Sequence, residues 1–556
     1  MHNPQYIDML IVGAGFGGLY QLTKARKMGL TAQVIERGSG VGGTWYWNRY
    51  PGARCDTPSI FYSVSYLPEL DQEWEWPELY PGQPMLLEYL KHIAERENLY
   101  SQITFNTSVV SADWNDHTGS WTVRTDTGEE IVARYVVMAT GTLTAAKTPE
   151  VPGLETFQGR WFHTGRWPRD ETVDFRGRRV AVIGTGSTGV QAIPVIADQA
   201  ESVTVVQRTP KFVAPAVNRP LTFEELKSTK KMYPLLRAQA RYSDYGSPVD
   251  YPTVELDKLP REDSTAILEE HWNNGTFIRF VSSYAPHLGI TNPAVNDILA
   301  EFARGKIRQI VTDPVTAETL TPHGYPIGVN RLCIGTNFYE TFNRDNVSLM
   351  DARKEPIVSI TRNGFQTSSG HYEVDDLVFA TGYDAITGAL TSIDISGRSE
   401  LLRDSWSDGP STYLGVQVSG YPNLFLVTGP GGPSVLANAV VTGEQAVDFI
   451  STLVRHAEST GCRVVEADAT AEKTWMEHVA EVSQQSLYRE AWKANSWYTG
   501  RNVPGKKVVF MPYAGGVGTY EQLWREIVFE NFQGFSFTET AAASQPEENS
   551  LGTSVS

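Results

Sequence analysis

Twice in this chain a short apolar run stops at a GxGxxG turn and gives way to a helix-patterned stretch. Ile7 to Val12 runs into Gly13-Ala14-Gly15-Phe16-Gly17-Gly18, and Val180 to Ile183 runs into Gly184-Thr185-Gly186-Ser187-Thr188-Gly189. Leu19, Leu22 and Ala25 follow the first turn at the three/four spacing of one helix face, and Val190 to Ala197 follow the second. A further short apolar strand closes each unit, Gln33 to Ile35 and Val203 to Val206. Such a turn works by removing side chains. The first glycine permits the tight turn, the second lets backbone approach a pyrophosphate, and the third lets helix pack on strand. The helix N-terminus then offers unpaired N–H groups and a positive dipole end to phosphate. A glycine-rich loop alone says little; strand before and helix after supply the meaning. The expected fold class is α/β, with two Rossmann-like dinucleotide-binding domains.

Two further repeats mark the domain plan. Arg134 to Met138 ends in Ala139-Thr140-Gly141, and Leu377 to Phe379 ends in Ala380-Thr381-Gly382. A chain of 556 residues exceeds what one hydrophobic core usually serves. The reading places the first part of one dinucleotide-binding domain at 1–146 and a second such domain at 147–220 and 321–383. Between these lies a helical insertion in the second domain at 221–320, rich in Glu, Lys, Arg and Leu. The first domain resumes at 384–538, and a tail at 539–556 has too little to bury and is expected to be disordered. Lys147 to Pro152 reads as the crossover between the domains.

The formal net charge of -17, with no Lys/Arg-rich stripe to offset it, disfavours nucleic acid or an anionic membrane as partner. Cys55, Cys333 and Cys462 lie far apart, so neither a disulfide framework nor a metal site nor a redox dithiol is expected. The N-terminal residues lack a basic segment, an apolar span and a small-residue cleavage site, and the expected location is cytoplasmic. A monomer or weak homo-oligomer is expected.

The ends of the second strands separate the two nucleotide sites. Glu36 can bond ribose hydroxyls, which suits FAD. Its counterpart in the second unit is Gln207-Arg208-Thr209, with a guanidinium and no carboxylate. A guanidinium grips phosphate in a fork, so NADPH is favoured over NADH. A solvated surface arginine is the competing reading.

Ahead of the second unit runs Phe157-Gln158-Gly159-Arg160-Trp161-Phe162-His163-Thr164-Gly165-Arg166-Trp167-Pro168. It resembles the FxGxxxHxxxWP fingerprint of the single-chain, FAD- and NADPH-dependent Baeyer–Villiger monooxygenases at every fixed position: Phe157, Gly159, His163, Trp167 and Pro168. The stretch Gly42 to Asp56 (GGTWYWNRYPGARCD) is similar to that family's flavin-contacting segment. The resemblance covers nearly the whole chain except the tail and is nearest to the phenylacetone and steroid ketone members. It implies that Arg331 and Asp56 are catalytic. It places Gly13, Gly15, Gly18, Glu36, Thr44, Trp45, Tyr46, Asp56 and Tyr62 on flavin-binding positions. Gly184, Thr185, Gly186, Ser187, Thr188, Gly189, Gln191, Arg208, Thr209, Arg331 and Trp497 fall on positions that hold the nicotinamide dinucleotide, and Trp47, Arg54 and Val109 complete the cofactor set. Leu436 and Ala439 fall in the substrate-facing loop.

The implied reaction uses NADPH-reduced FAD and O2 to form a peroxyflavin that attacks a ketone, giving an ester or lactone, with sulfoxidation as a side activity. For His163 a hinge hydrogen bond at the domain junction is favoured over proton transfer, and for Trp167 packing there. Two departures stand out. Asn330 replaces the lysine that many members carry before the active arginine, which weakens the expected grip on the 2′-phosphate and leaves it to Arg208 and Thr209, with Lys211 as helper. Ala439 replaces a larger methionine of some relatives and leaves room for a bulkier or cyclic ketone. Two rivals stay open: a flavin monooxygenase acting on nitrogen or sulfur, whose fingerprint generally lacks the Trp-Pro ending, and a flavin-binding sensor without turnover.

Overall fold

The computed structural model describes residues 5–147, 149–248, 254–284 and 291–539. Apart from Glu539, the tail expected at 539–556 lies outside the described residues.

The first glycine unit builds the centre of an eight-stranded sheet. Gln5–Val12 lies between Ala32–Ile35 and Glu130–Met138, parallel to both, with Met9 opposite Ala32 and Tyr135. Met9, Leu10 and Ile11 have no exposed surface, so both sheet faces are covered and the strand reads as an unbroken apolar run. The helix Phe16–Lys27 covers one face, and the long helix Ala439–Thr460 packs against it. Beyond Glu130–Met138 an antiparallel meander continues through Ser120–Thr125 and Val109–Asn115. Residues from the last third of the chain return to this sheet: Asp394–Ser396 pairs with Val109–Asn115, and Leu424–Leu426 pairs with Glu130–Met138.

The second unit is a parallel five-stranded sheet in the order Val347–Asp351, Ser202–Gln207, Arg179–Ile183, Asp376–Phe379, Arg160–His163. Its edge strand is the fingerprint segment itself. The sequence order sets that segment ahead of the unit, but pairing with Asp376–Phe379 makes it part of the sheet. The fully buried Asp376 carboxylate receives hydrogen bonds from Arg160 and Arg178, which fastens this edge.

The expected insertion is helical. Phe223–Tyr242 starts with a capping box, Thr222 and Glu225 bonding each other's backbone N–H, and Arg261–Asn273, Phe277–Tyr284, Pro293–Ile310 and Pro314–Leu320 follow. These helices serve different partners. Phe223–Tyr242 is tied to the first unit, where Arg237 meets Asp71 and Arg241 meets both Asp448 and Glu521. Residues of the next three helices share an apolar cluster with Phe212, Ala214 and Ile334 of the second unit. No described helix is long and apolar enough to cross a membrane.

Candidate functional site

The two glycine turns are near copies in space. Gly13 has φ +107° and Gly184 φ +113°, and a Cβ on either would lie 2.5 Å from a carbonyl oxygen, that of Ala139 or Ala380. The repeated Ala-Thr-Gly thus closes each unit by setting its alanine carbonyl against the first glycine. A Cβ on Gly18 would lie 1.8 Å from the Gly13 carbonyl oxygen, and one on Gly189 2.1 Å from that of Gly184, so helix and turn touch there. The middle glycines differ. A Cβ on Gly186 would meet nothing within 4 Å, and one on Gly15 only Gly43, at 3.4 Å from its Cα. Neither helix N-terminus has a side-chain cap or an acidic residue in its first turn. Open space facing uncapped N–H groups fits the phosphates of a dinucleotide.

Between the units runs a cleft of ≈ 960 Å³. One wall carries Thr44, Trp45, Arg54, Asp56 and Tyr62 from the first unit, and the other carries Gly184 to Thr188, Gln191, Arg208 and Thr209. Arg331, Trp497 and Ala439 line it as well. The walls are joined at Gln191, whose side chain accepts from the Tyr50 hydroxyl at 2.9 Å and donates to the Arg54 carbonyl at 3.0 Å.

At the centre, Arg331 donates from Nε and Nη2 to the two oxygens of Asp56, at 2.6 and 2.7 Å, and from Nη1 to the Val435 carbonyl at 3.1 Å. The Arg331 side chain keeps 30% of its surface exposed and that of Asp56 20%, both at the cleft wall. Burial opposes both charges. The attraction between the partners outweighs it, holding the carboxyl below its usual range and the guanidinium above its own. The site therefore presents a permanently charged, oriented fork of donors.

Several residues picked from the sequence lie elsewhere. Glu36 is buried and accepts from the Ala14 and Gly38 N–H groups at 2.8 and 2.6 Å, so it shapes the turn directly. Tyr46 is buried under Gly38, where its hydroxyl accepts from Ser39 N–H at 2.6 Å and from Arg169. The Arg169 guanidinium lies over the rings of Tyr46 and Trp47. Val109 packs in the core beneath the first sheet with Val12 and Ile35. Leu436, expected in the substrate pocket, packs instead beside Tyr498 and Met511, because its short 3₁₀ turn presents Val435 to the cleft; Ala437 and Ala439 follow on the same wall.

His163 is not on the cleft wall. Its Nδ1 accepts from Gly165 N–H at 3.1 Å, which leaves the proton on Nε2, 3.3 Å from the Thr381 hydroxyl. Burial, with Arg166 and Lys147 adding to it, takes the imidazole down to about 4. It is a neutral strut between the fingerprint and the second Ala-Thr-Gly. Trp167 packs on Phe162 and shares a cluster with Tyr50 and Ala53 of the first unit. Phe157 lies under Gly159, where a Cβ would strike the Asp375 carbonyl at 2.2 Å.

Residues 8–224 match the family model described as flavin-binding monooxygenase-like. A Baeyer–Villiger monooxygenase of Pseudooceanicola batsensis is 38% identical over 516 residues, 92% of this chain and 93% of that one. The cyclopentanone 1,2-monooxygenase of a Comamonas species is 38% identical over 533 residues, 95% and 96% of the two chains. The chain belongs to the Baeyer–Villiger monooxygenase family. A solved structure described as oxidized steroid monooxygenase bound to NADP matches 96% of this chain and 100% of that one, with 43% identity and a TM-score of 0.90.

For a Baeyer–Villiger monooxygenase, the cleft holds several residues that sequence reasoning gave no site role. Lys147, Cys333, Asn495 and Asn502 all line it. Lys147, Asn495 and Asn502 come from loops and Cys333 from the strand Cys333–Gly335, none within a motif, and only the packing of distant segments brings them to one wall. Tyr383, next to the second Ala-Thr-Gly, reaches across to the Asn48 side chain and links the two units.

Proposed function

We propose that this Baeyer–Villiger monooxygenase takes FAD and NADPH and converts a ketone and O2 into an ester or lactone, releasing water and NADP+. The observation that carries this reading is the Arg331–Asp56 fork in a cleft bounded by two glycine turns. Bound FAD, reduced by NADPH, supplies the redox chemistry with dioxygen that no side chain can perform. The flavin would be held at the Gly13-to-Gly18 turn and along Thr44, Trp45 and Tyr62, and the coenzyme at the Gly184-to-Gly189 turn, Gln191, Arg208 and Thr209.

The work of the chain's own groups is electrostatic. Attack on a ketone drives negative charge onto its carbonyl oxygen, and Arg331 is the oriented cation that meets that charge. Asp56 fixes the direction of the guanidinium, so no reorganisation is needed at the moment of reaction. Trp497, Val435, Ala437 and Ala439 line the cleft beside the fork. The small Ala439 leaves room for bulky or cyclic ketones. The three free thiols, with Cys55 and Cys333 buried, suit the reducing cytoplasm.

A second reading, oxygen transfer to a nitrogen atom, draws on a phenazine N-monooxygenase of Lysobacter antibioticus, 37% identical over 96% of the chain. Feeding the FAD-loaded enzyme with NADPH, cyclic and steroid ketones and an aromatic amine, and then identifying the products, separates the two. Ester or lactone is the expected product. N-oxide alone, or NADPH consumption that yields only hydrogen peroxide with every ketone, would overturn the proposal.

A further inference from the structure

Within Phe61 to Ser65, Tyr62 lines the cleft. Its ring packs edge-on against Phe16 of the first glycine turn, 5.5 Å between centroids, and against Trp45 at 5.9 Å. The Trp45 indole N–H donates to the Tyr62 hydroxyl at 3.3 Å. The segment itself forms no helix or strand, yet Phe61, Ser63 and Val64 are buried. Backbone of that kind has no ladder to satisfy its polar groups and must find other partners.

Side chains from distant helices supply them. Asn438, which caps Ala439–Thr460, donates to the Phe61 carbonyl at 2.7 Å. The Tyr89 hydroxyl accepts from Val64 N–H at 3.0 Å, and Glu444 accepts from Ser65 N–H at 2.7 Å. The largest share falls to Arg237 of the insertion helix Phe223–Tyr242. Its Nη1 donates to the Ser63 carbonyl at 2.7 Å, and its Nη2 to the Ser63 hydroxyl at 2.7 Å and the Val64 carbonyl at 3.1 Å.

A guanidinium with 15% of its side chain exposed is costly to place on neutral backbone unless an acid accompanies it. Asp71, at 2.5 Å from Nη2, is that acid; it outweighs burial and keeps Arg237 above its usual range. Docking the helix does not require this fork. Arg241 already fastens it to Asp448 and Glu521, and a lysine at 237 would also pair with Asp71. Reaching two successive carbonyls and a hydroxyl at once does require the planar, five-donor group.

Resting on the FAD reading above, we propose that Arg237 is a positioning residue of the flavin site, setting the Tyr62 ring against Phe16 and Trp45 through the Ser63 and Val64 carbonyls. The insertion, which the sequence places inside the second unit, thus completes the site of the first. The Phe61 end of the same segment hangs on Asn438, three residues past the Val435 carbonyl that takes Arg331.

The test uses the FAD-loaded enzyme, with flavin release on dilution read by fluorescence and the surroundings of the bound flavin read by visible circular dichroism. Arg237→Lys keeps a cation opposite Asp71 and loses the fork. It should raise the FAD dissociation constant about fivefold and alter the dichroism, an effect of the size found between members of one hydrogen-bond network. Tyr62→Leu removes the ring through which the effect runs, so in that background Arg237→Lys should add less than about twofold. A merely structural role would lower the melting temperature and give the same fold-change in both backgrounds. Equal effects in the two backgrounds, wild-type FAD affinity in Tyr62→Leu, or unchanged release and dichroism in Arg237→Lys overturn the positioning role and leave the FAD reading standing. Should Arg237→Lys give no folded protein, Ser63→Ala, which takes away one partner of the fork, is read in the same two backgrounds against the same outcomes. A wild type that holds no FAD overturns both.

Discussion

The Asp56 carboxylate accepts two hydrogen bonds from Arg331, a residue 275 positions away in the chain. The bidentate geometry fixes both the position and the direction of the guanidinium, and its third hydrogen bond, to the Val435 carbonyl, ties it to the 435–439 segment on the cleft wall. The pair also explains why the charges persist in a partly buried site. Each partner offsets the desolvation of the other.

Arg331→Ala should therefore retain flavin and lose ester formation by at least about a hundredfold, the usual cost of removing one preorganised donor at a developing oxyanion. Flavin absorbance together with product analysis reads both. Arg331→Lys keeps a charge without the fork and should recover only a small part of the rate. Asp56→Ala, which leaves the arginine unanchored, should slow flavin reduction or turnover several-fold in stopped-flow measurements. Full ester formation in Arg331→Ala would remove the basis of the proposed mechanism.

The glycines of the second turn separate packing from binding. In Gly189→Ala the new methyl would meet the Gly184 carbonyl, so NADP+ affinity and local stability should fall together, with FAD retained on the other unit. Gly186→Ala places its methyl in open space. Its melting temperature should shift by no more than about 2 °C, as for an ordinary surface substitution, while NADP+ binding weakens about tenfold or more. Unchanged coenzyme affinity in Gly186→Ala would mean that the phosphates lie elsewhere.

Ala439 lines the cleft four residues past Val435, whose carbonyl holds Arg331. Ala439→Met should lower kcat/KM for bulky ketones about tenfold or more and spare small ones, the discrimination that a few buried carbon atoms can give. Steady-state rates over a size series of ketones check this, and a uniform effect on all of them would place Ala439 away from the substrate.

His163 gives a pH dependence with a definite sign. Its folded value of about 4 lies below the ordinary 6.5. Between those values the unfolded chain binds the extra proton and the folded chain does not, so stability falls as pH drops from about 6.5 towards 4. Protonation would also put a second donor against Gly165 N–H. His163→Asn should flatten this part of the profile, seen as a smaller difference in melting temperature between pH 5 and pH 7. An unchanged difference would show that the imidazole does not contribute.

The glycine units were legible because local sequence alone dictates them. A GxGxxG turn flanked by an apolar run and a helical stripe allows few other structures, and Met9 to Ile11 and Val180 to Val182 are buried as that pattern requires. The helical character of 221–320 was legible in its Glu, Lys, Arg and Leu content. Its two allegiances were not, since Arg237 and Arg241 carry no sign of the acids they meet. Leu436, beside Tyr498 and Met511, lies one residue of register from Val435 on the cleft wall, a difference that a 3₁₀ turn decides and the sequence does not show. Resemblance supplied Arg331; periodicity had nothing to say about it.

By itself the sequence determined two dinucleotide folds, the residues of each phosphate turn and the chemistry that such turns admit, because turns, strands and helices answer to neighbours a few positions away. Only the tertiary structure decided that the fingerprint is a strand of the second sheet, that Glu36 braces its own turn, and that Lys147, Arg208 and Lys211 line one cleft. Those facts depend on contacts between segments up to hundreds of residues apart, where burial and charge pairing are settled by packing.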